Sequence, residues 1–165
     1  MTPVFTRRQA LCCGAAAGLS LAAGTAASAA AAPPQGRFAI TRTDAEWRRM
    51  LSPAAYAVLR RGSTERAGSS PLNREHRRGT YACAGCGHAL YRSQAKFESG
   101  TGWPSFTAPI PGAVRTRPDD GLLGARTEVH CARCGGHLGH VFDDGPRPAG
   151  KRYCMNGAAL RFRPG

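Results

Sequence analysis

Five of the seven cysteines lie beyond residue 80, and their spacing sorts them by the chemistry they could do. Cys83 and Cys86 enclose two residues, as do Cys131 and Cys134. A two-residue gap lets a tight turn aim both sulfurs at one ion. Two such pairs supply four thiolates, which close a tetrahedral zinc site completely and so make it structural. Gly87 and Gly135 follow the pairs, and "CAGCGHAL" echoes "CARCGGHL", so two similar hairpin tips are expected to meet. A redox dithiol or two disulfides would use the same cysteines. Neither accounts for the matched sequence downstream of both pairs. The gap between the pairs exceeds that of a small zinc ribbon, so the ion joins distant hairpins of a larger domain.

Cys154 is then a spare thiol. The ordinary fate of a single cysteine is burial as a small hydrophobe, but Arg152 and Asn156 stand two residues to either side. Strand alternation sets all three side chains on one face, and a cation beside a thiol favours the nucleophilic thiolate. "GGHLGHVFDDGP" adds His137 and His140. With four cysteines already completing a metal site, these imidazoles are free for proton transfer near neutral pH. "SGTGWPSF" presents Trp103 on a Gly/Pro loop, where an indole lines an apolar pocket as readily as it fills a core. Phe142 is assigned with Trp103 to substrate binding.

Short elements must position these groups. Thr43 and Glu46 have capping-box spacing, which predicts a helix over 44–51. Ser52-Pro53 starts a second helix that Gly62 stops. Beyond a loop at "GSTERAGSSPLN", alternating stretches at 80–82, 88–91, 125–130, 137–142 and 159–162 read as strands. With 21 glycines and 12 prolines in 165 residues, a single turn-rich domain is expected. The net charge of +13 comes mostly from arginines scattered along the chain. No basic block or aromatic-interleaved stripe is present, so nucleic-acid binding is not expected.

At the N-terminus, Arg7 and Arg8 precede an uncharged Ala/Leu/Gly-rich run and the small-residue site Ala27-Ser28-Ala29. This is the pattern of a secretory signal, and the paired arginines resemble a twin-arginine export signal. The run is too poor in Leu and Ile to hold as a membrane anchor. Residues 1–29 are assigned as a cleaved signal of an exported protein with no stable membrane insertion. Residues 30–42 are assigned as a linker, and 43–165 as the functional domain. Cys12 and Cys13 leave with the signal.

"SGTGWPSF", "GHLGHVFDDGP" and "RYCMNGAALRF", with both C-x-x-C pairs in this order, closely resemble the B-type peptide methionine sulfoxide reductases, which act on the R epimer. The resemblance implies a mainly β domain of antiparallel, open barrel-like sheets, with short helices at its N-terminal side and a zinc-bound four-cysteine site away from the active site. It implies Cys154 as the catalytic residue, His137 and His140 as the paired histidines, Trp103 as the methyl-binding ring, and Arg152 and Asn156 flanking the nucleophile. Cys154 would attack the sulfoxide sulfur while His140, supported by His137, protonates the oxygen, leaving a sulfenic acid.

Many members place a resolving cysteine where this sequence has Thr101. An external thiol, thioredoxin-like or small, is therefore the expected reductant of a monomeric enzyme. The partners implied are oxidised proteins or peptides containing methionine-R-sulfoxide. Two further departures are Gly157, where many members carry Ser, and "AGSSPL", where an aromatic is common. The competing reading is a non-catalytic zinc-ribbon-like binding module, which has no need of Cys154, His140 and Trp103 together.

Overall fold

The computed structural model describes residues 38–120 and 124–165. The export segment at 1–29 and the linker as far as residue 37 lie outside the described residues.

Two helices open the domain. In α1 (Asp44–Met50) the Thr43 N–H donates to the Glu46 carboxylate at 2.7 Å and the Glu46 N–H donates back to the Thr43 hydroxyl at 3.3 Å. The helix ends at Met50 because Leu51 turns extended. Seven residues are too few to hold a helix by propensity. Burial of Trp47 fixes α1 instead. In α2 (Pro53–Arg61) the Ser52 hydroxyl accepts from Ala55 N at 3.2 Å, and Gly62 ends the helix in the left-handed region, φ 68°. Tyr56, Val58 and Leu59 form its buried face, and Arg60 lies over the Trp47 ring at 4.9 Å. Among the described residues no helix is long and apolar enough to cross a membrane.

Among the described residues nine strands follow: β1 (Gly79–Cys83), β2 (Ala89–Arg92), β3 (Lys96–Phe97), β4 (Ser105–Phe106), β5 (Val114–Asp119), β6 (Arg126–Cys131), β7 (His137–Phe142), β8 (Arg152–Met155) and β9 (Leu160–Pro164). They form two antiparallel sheets, ordered β2-β1-β9 and β3-β4-β8-β7-β6-β5. The fold is thus mainly antiparallel β, and neither sheet closes into a barrel. Sequence alternation finds β1, β2, β6, β7 and β9 within one or two residues but misses the two-residue strands β3 and β4, and also β5. Its "VRTRPD" is too polar and carries Pro118, which is tolerated because β5 is an edge strand.

The core is an aromatic cluster where the two sheets meet. Tyr91 stacks on Phe106 at a centroid distance of 4.3 Å, and Tyr81 meets Phe106 edge-on at 4.9 Å. Leu90, Val129, Leu138 and Met155 fill in around them without exposure. The Tyr91 hydroxyl donates to Met155 Sδ at 3.1 Å, which ties the first sheet to the strand that carries Cys154.

Candidate active site and metal centre

Strand register builds the site as one row across the larger sheet. Ser105 pairs with Cys154, Cys154 with His140, His140 with Glu128, and Glu128 with Arg117. Directly opposed residues share a sheet face with Cβ atoms about 4.5–5.5 Å apart. A hydroxyl, a thiol, an imidazole, a carboxylate and a guanidinium therefore stand side by side. Phe142 pairs with Arg152 one step along, on the same face as His140 and Cys154.

His137 joins the row through a bulge. In an unbroken strand residues three apart face opposite sides. In β7 the register shifts between the pairs Val129/Gly139 and His130/His137, leaving Leu138 as an extra residue. Leu138 turns into the core, and the rings of His137 and His140 come to 5.4 Å centroid to centroid. Gly139 is required there, because a methyl group on it would overlap the Cys154 carbonyl oxygen.

Each histidine is gripped by a carboxylate absent from the sequence-derived site. Glu128 accepts from His137 Nδ1 at 2.8 Å and is also bonded by Arg117. Burial raises the Glu128 carboxyl, but Arg117 and His137 outweigh it and hold it below its usual range. Burial pushes His137 down, only partly offset by Glu128, so its neutral form prevails near pH 7. With Nδ1–H given to Glu128, His137 Nε2 is a buried acceptor that has no partner among the described residues. Asp119 accepts from His140 Nε2 at 2.7 Å and from Arg126 at 3.0 Å. The His140 hydrogen bond is the main cause of its lowered carboxyl.

A cleft of about 130 Å³ is lined by Thr64, Trp103, Arg126, Gly139, His140, Phe142, Cys154, Met155 and Asn156. It brings together Cys154, His140, Trp103, Phe142 and Asn156 from the sequence-derived set. Arg152 stands at its edge, forked onto Asp144 through two 2.8 Å hydrogen bonds and lying 4.4 Å over the Phe142 ring. Its charge is held by Asp144 first, with Cys154 also contributing. β8 ends at Met155, and the Asn156 amide is used for scaffolding: Nδ2 donates to the Leu138 carbonyl at 3.1 Å and Oδ1 accepts from Glu65 N at 2.9 Å.

Glu65 is the residue that sequence reasoning missed most completely. Its carbonyl accepts from Trp103 Nε1 at 3.1 Å, and its carboxylate accepts from Gly157 N at 2.5 Å and Ala158 N at 2.9 Å. One loop residue thus pins the indole, Asn156 and the chain after Cys154. Nearby, a methyl group at Gly157 would overlap the Ser70 side chain, whose hydroxyl accepts from Leu72 N at 3.1 Å. Gly157 and the "AGSSPL" segment are therefore in direct contact, with no room for a side chain at residue 157 beside Ser70.

The two cysteine pairs converge apart from this cleft. In both turns the first cysteine's N–H reaches a carbonyl five residues on, His88 or Gly136, at 2.8 and 2.9 Å. In both, the glycine after the second cysteine adopts positive φ, 71° and 67°. The four sulfurs lie within 4.8 Å of one another. Cys83 to Cys134 is 3.7 Å and Cys86 to Cys131 is 3.6 Å. A tetrahedral ion with about 2.3 Å bonds to sulfur needs S–S edges of about 3.8 Å. The cluster fits a metal. Hydrogen bonding, Cys131 foremost, drives the Cys83 thiol up and Cys86 down, a conflict that a cation among four thiolates removes. Trp47 and Leu59 cover Gly85, and the Arg60 guanidinium donates to the Cys134 carbonyl at 3.1 Å, so both helices rest on the knuckles. Ile40 N bonds the Arg133 carbonyl at 2.9 Å and the Phe38 ring meets His130 edge-on at 5.8 Å. The end of the assigned linker therefore also lies on the second knuckle.

Comparison with known proteins places these observations in a family context. A family model described as the SelR domain matches residues 51–164. A Bradyrhizobium diazoefficiens protein named peptide methionine sulfoxide reductase MsrB is 53% identical over 131 residues, covering 76% of this chain and 91% of its own. A protein of the same name from Leifsonia xyli is 52% identical, with 79% and 95% covered. Peptide methionine sulfoxide reductase B8 of Arabidopsis thaliana is 46% identical, with 83% and 94% covered.

Proposed function

This chain belongs to the SelR family of B-type peptide methionine sulfoxide reductases, and on that premise we propose that it is an exported enzyme that reduces the R epimer of methionine sulfoxide in proteins or peptides, with an external thiol closing the cycle. The observation that carries this reading is Cys154 paired between Ser105 and His140 in a cleft walled by Trp103 and Phe142. The indole and phenyl rings suit a methyl sulfoxide, apolar at the methyl group and polar only at oxygen.

The Cys154 thiolate attacks the sulfoxide sulfur. His140, held by Asp119 at Nε2, gives a proton to the departing oxygen, since an oxide leaves poorly unless protonated. His137 is neutral and fixed by Glu128, and it supports His140 instead of donating. Arg152 stands two residues from Cys154 along β8, on the same strand face. The oxygen leaves the substrate sulfur as hydroxide once the bond to Cys154 has formed; that hydroxide adds to the Cys154 sulfur, the sulfur–sulfur bond breaks, and methionine departs with Cys154 left as a sulfenic acid. One external thiol condenses with the sulfenic acid and releases water. A second then attacks the mixed disulfide and restores Cys154. Cys83, Cys86, Cys131 and Cys134 would hold a structural zinc, which would fix the two knuckles and leave these steps to Cys154 and its neighbours. The twin-arginine-like segment in the sequence supports export in the folded state, with zinc protecting four thiols before oxidants reach them.

Turnover of the separate R and S epimers with dithiothreitol tests the reading. Consumption of R alone is expected. Consumption of S would overturn the stereochemistry, and consumption of neither would favour a zinc-dependent binding module.

A further inference from the structure

Three hydroxyls converge on the catalytic sulfur without any part in the chemistry above. Ser99 Oγ lies 2.7 Å from Ser105 Oγ and 2.8 Å from Thr101 Oγ1, and Thr101 Oγ1 lies 3.8 Å from Cys154 Sγ. Ser105 is almost wholly buried and also sits opposite Cys154 in the ladder. Its hydroxyl has a second acceptor in the Trp103 carbonyl at 3.2 Å. The Thr101 backbone N–H points at Ser99 Oγ from 3.4 Å.

Each hydroxyl carries one proton, so the chain can run toward the Cys154 sulfur or, with Ser105 donating to the Trp103 carbonyl, away from it. When Ser105 donates to Ser99 and Ser99 donates to Thr101, the Thr101 proton has the Cys154 sulfur as its remaining partner among these hydrogen bonds. A thiolate favours that orientation because it is the one charged acceptor on the chain, and successive donors polarise one another.

Resting on the proposed reductase cycle, we infer that Thr101 is a catalytic residue of this chain: its hydroxyl, oriented by Ser99 and Ser105, donates a hydrogen bond to the Cys154 thiolate and then to the oxygen of its sulfenic acid. The residue at the position where other members keep a resolving cysteine thus takes a different part in the same cycle. It forms no bond to sulfur. It holds charge on the nucleophile before attack and keeps the oxidised sulfur in place until an external thiol arrives.

Thr101→Val preserves side-chain shape and removes the donor, while Thr101→Ser keeps the donor. The first readout is the alkylation rate of Cys154 by iodoacetamide at fixed pH, which needs no sulfoxide turnover and so separates this inference from the reductase reading. Thr101→Val should slow alkylation and lower kcat by about tenfold with KM little changed, the low end for a hydrogen bond to a charged acceptor. Thr101→Ser should stay within about twofold of wild type. Ser99→Ala should give a smaller loss alone and none on top of Thr101→Val, because its effect passes through the threonine. Wild-type alkylation and kcat in Thr101→Val would overturn the inference. Equal loss in the Val and Ser variants would overturn it in favour of a purely steric role.

Discussion

Removal of the Glu65 carboxylate, in Glu65→Ala, probes a residue that no sequence motif marks. Two backbone N–H groups, of Gly157 and Ala158, donate to that carboxylate at 2.5 and 2.9 Å. A hydrogen bond to a charged group contributes about 1.5–3 kcal/mol net. Glu65 is half-buried, so the lower figure applies to each bond, and their loss costs about 3 kcal/mol. For a domain of this size that lowers Tm by about 10 °C. Glu65→Gln keeps one carbonyl acceptor and should lose about half as much.

The same loop residue binds Trp103 and Asn156 through its backbone, so releasing its side chain lets the indole drift from Cys154. A displacement near 1 Å costs on the order of 100-fold in rate. Thermal unfolding and kcat/KM, measured on the same samples, check both effects. Glu65→Ala with wild-type Tm and kcat/KM would refute the reasoning. A fall in Tm with intact kcat/KM would refute its functional half.

Four further outcomes are expected. Gly157→Ser should destabilise by about 1–3 kcal/mol through overpacking against Ser70, and adding Ser70→Gly should recover much of that, which chemical denaturation of the double mutant measures. His137 is lowered from 6.5 by burial, so the unfolded chain binds more protons below that pH; stability should fall as pH drops through about 6.5, and His137→Gln should flatten Tm across that range. Glu128 is lowered from 4.5, so its contribution is present above that pH and lost as acid takes the pH below it, a step that Glu128→Gln should remove. A strong chelator, or Cys131→Ser, should lower zinc content and Tm together, whereas Cys154→Ser should abolish turnover with full zinc content.

The helices were legible because their signals are local. Thr43 with Glu46, and Ser52-Pro53 with Gly62, satisfy helix-end groups within a few residues. The two knuckles were legible for the same reason: their spacing and trailing glycines describe self-contained turns. β7 was found as a strand, yet its bulge was invisible, since it depends on pairing with Val129 and His130 across the hairpin. Without the bulge, His137 and His140 would face opposite sides. Asp119 and Glu128 looked like ordinary surface acids until register set them against the histidines. Glu65 lies about 90 residues from the strand end it holds, beyond any periodicity. Residues that line the cleft and the cysteine knuckles could be picked out from sequence, and the carboxylates and loop that hold them required the fold.

The most direct measurement is intact and peptide mass spectrometry of the zinc-loaded protein after one equivalent of methionine-R-sulfoxide, without reductant and with dimedone present. The account predicts one dimedone adduct on Cys154, with Cys83, Cys86, Cys131 and Cys134 unmodified and zinc retained. An internal disulfide, an adduct on any of those four, or an unmodified Cys154 after methionine has been released would contradict it.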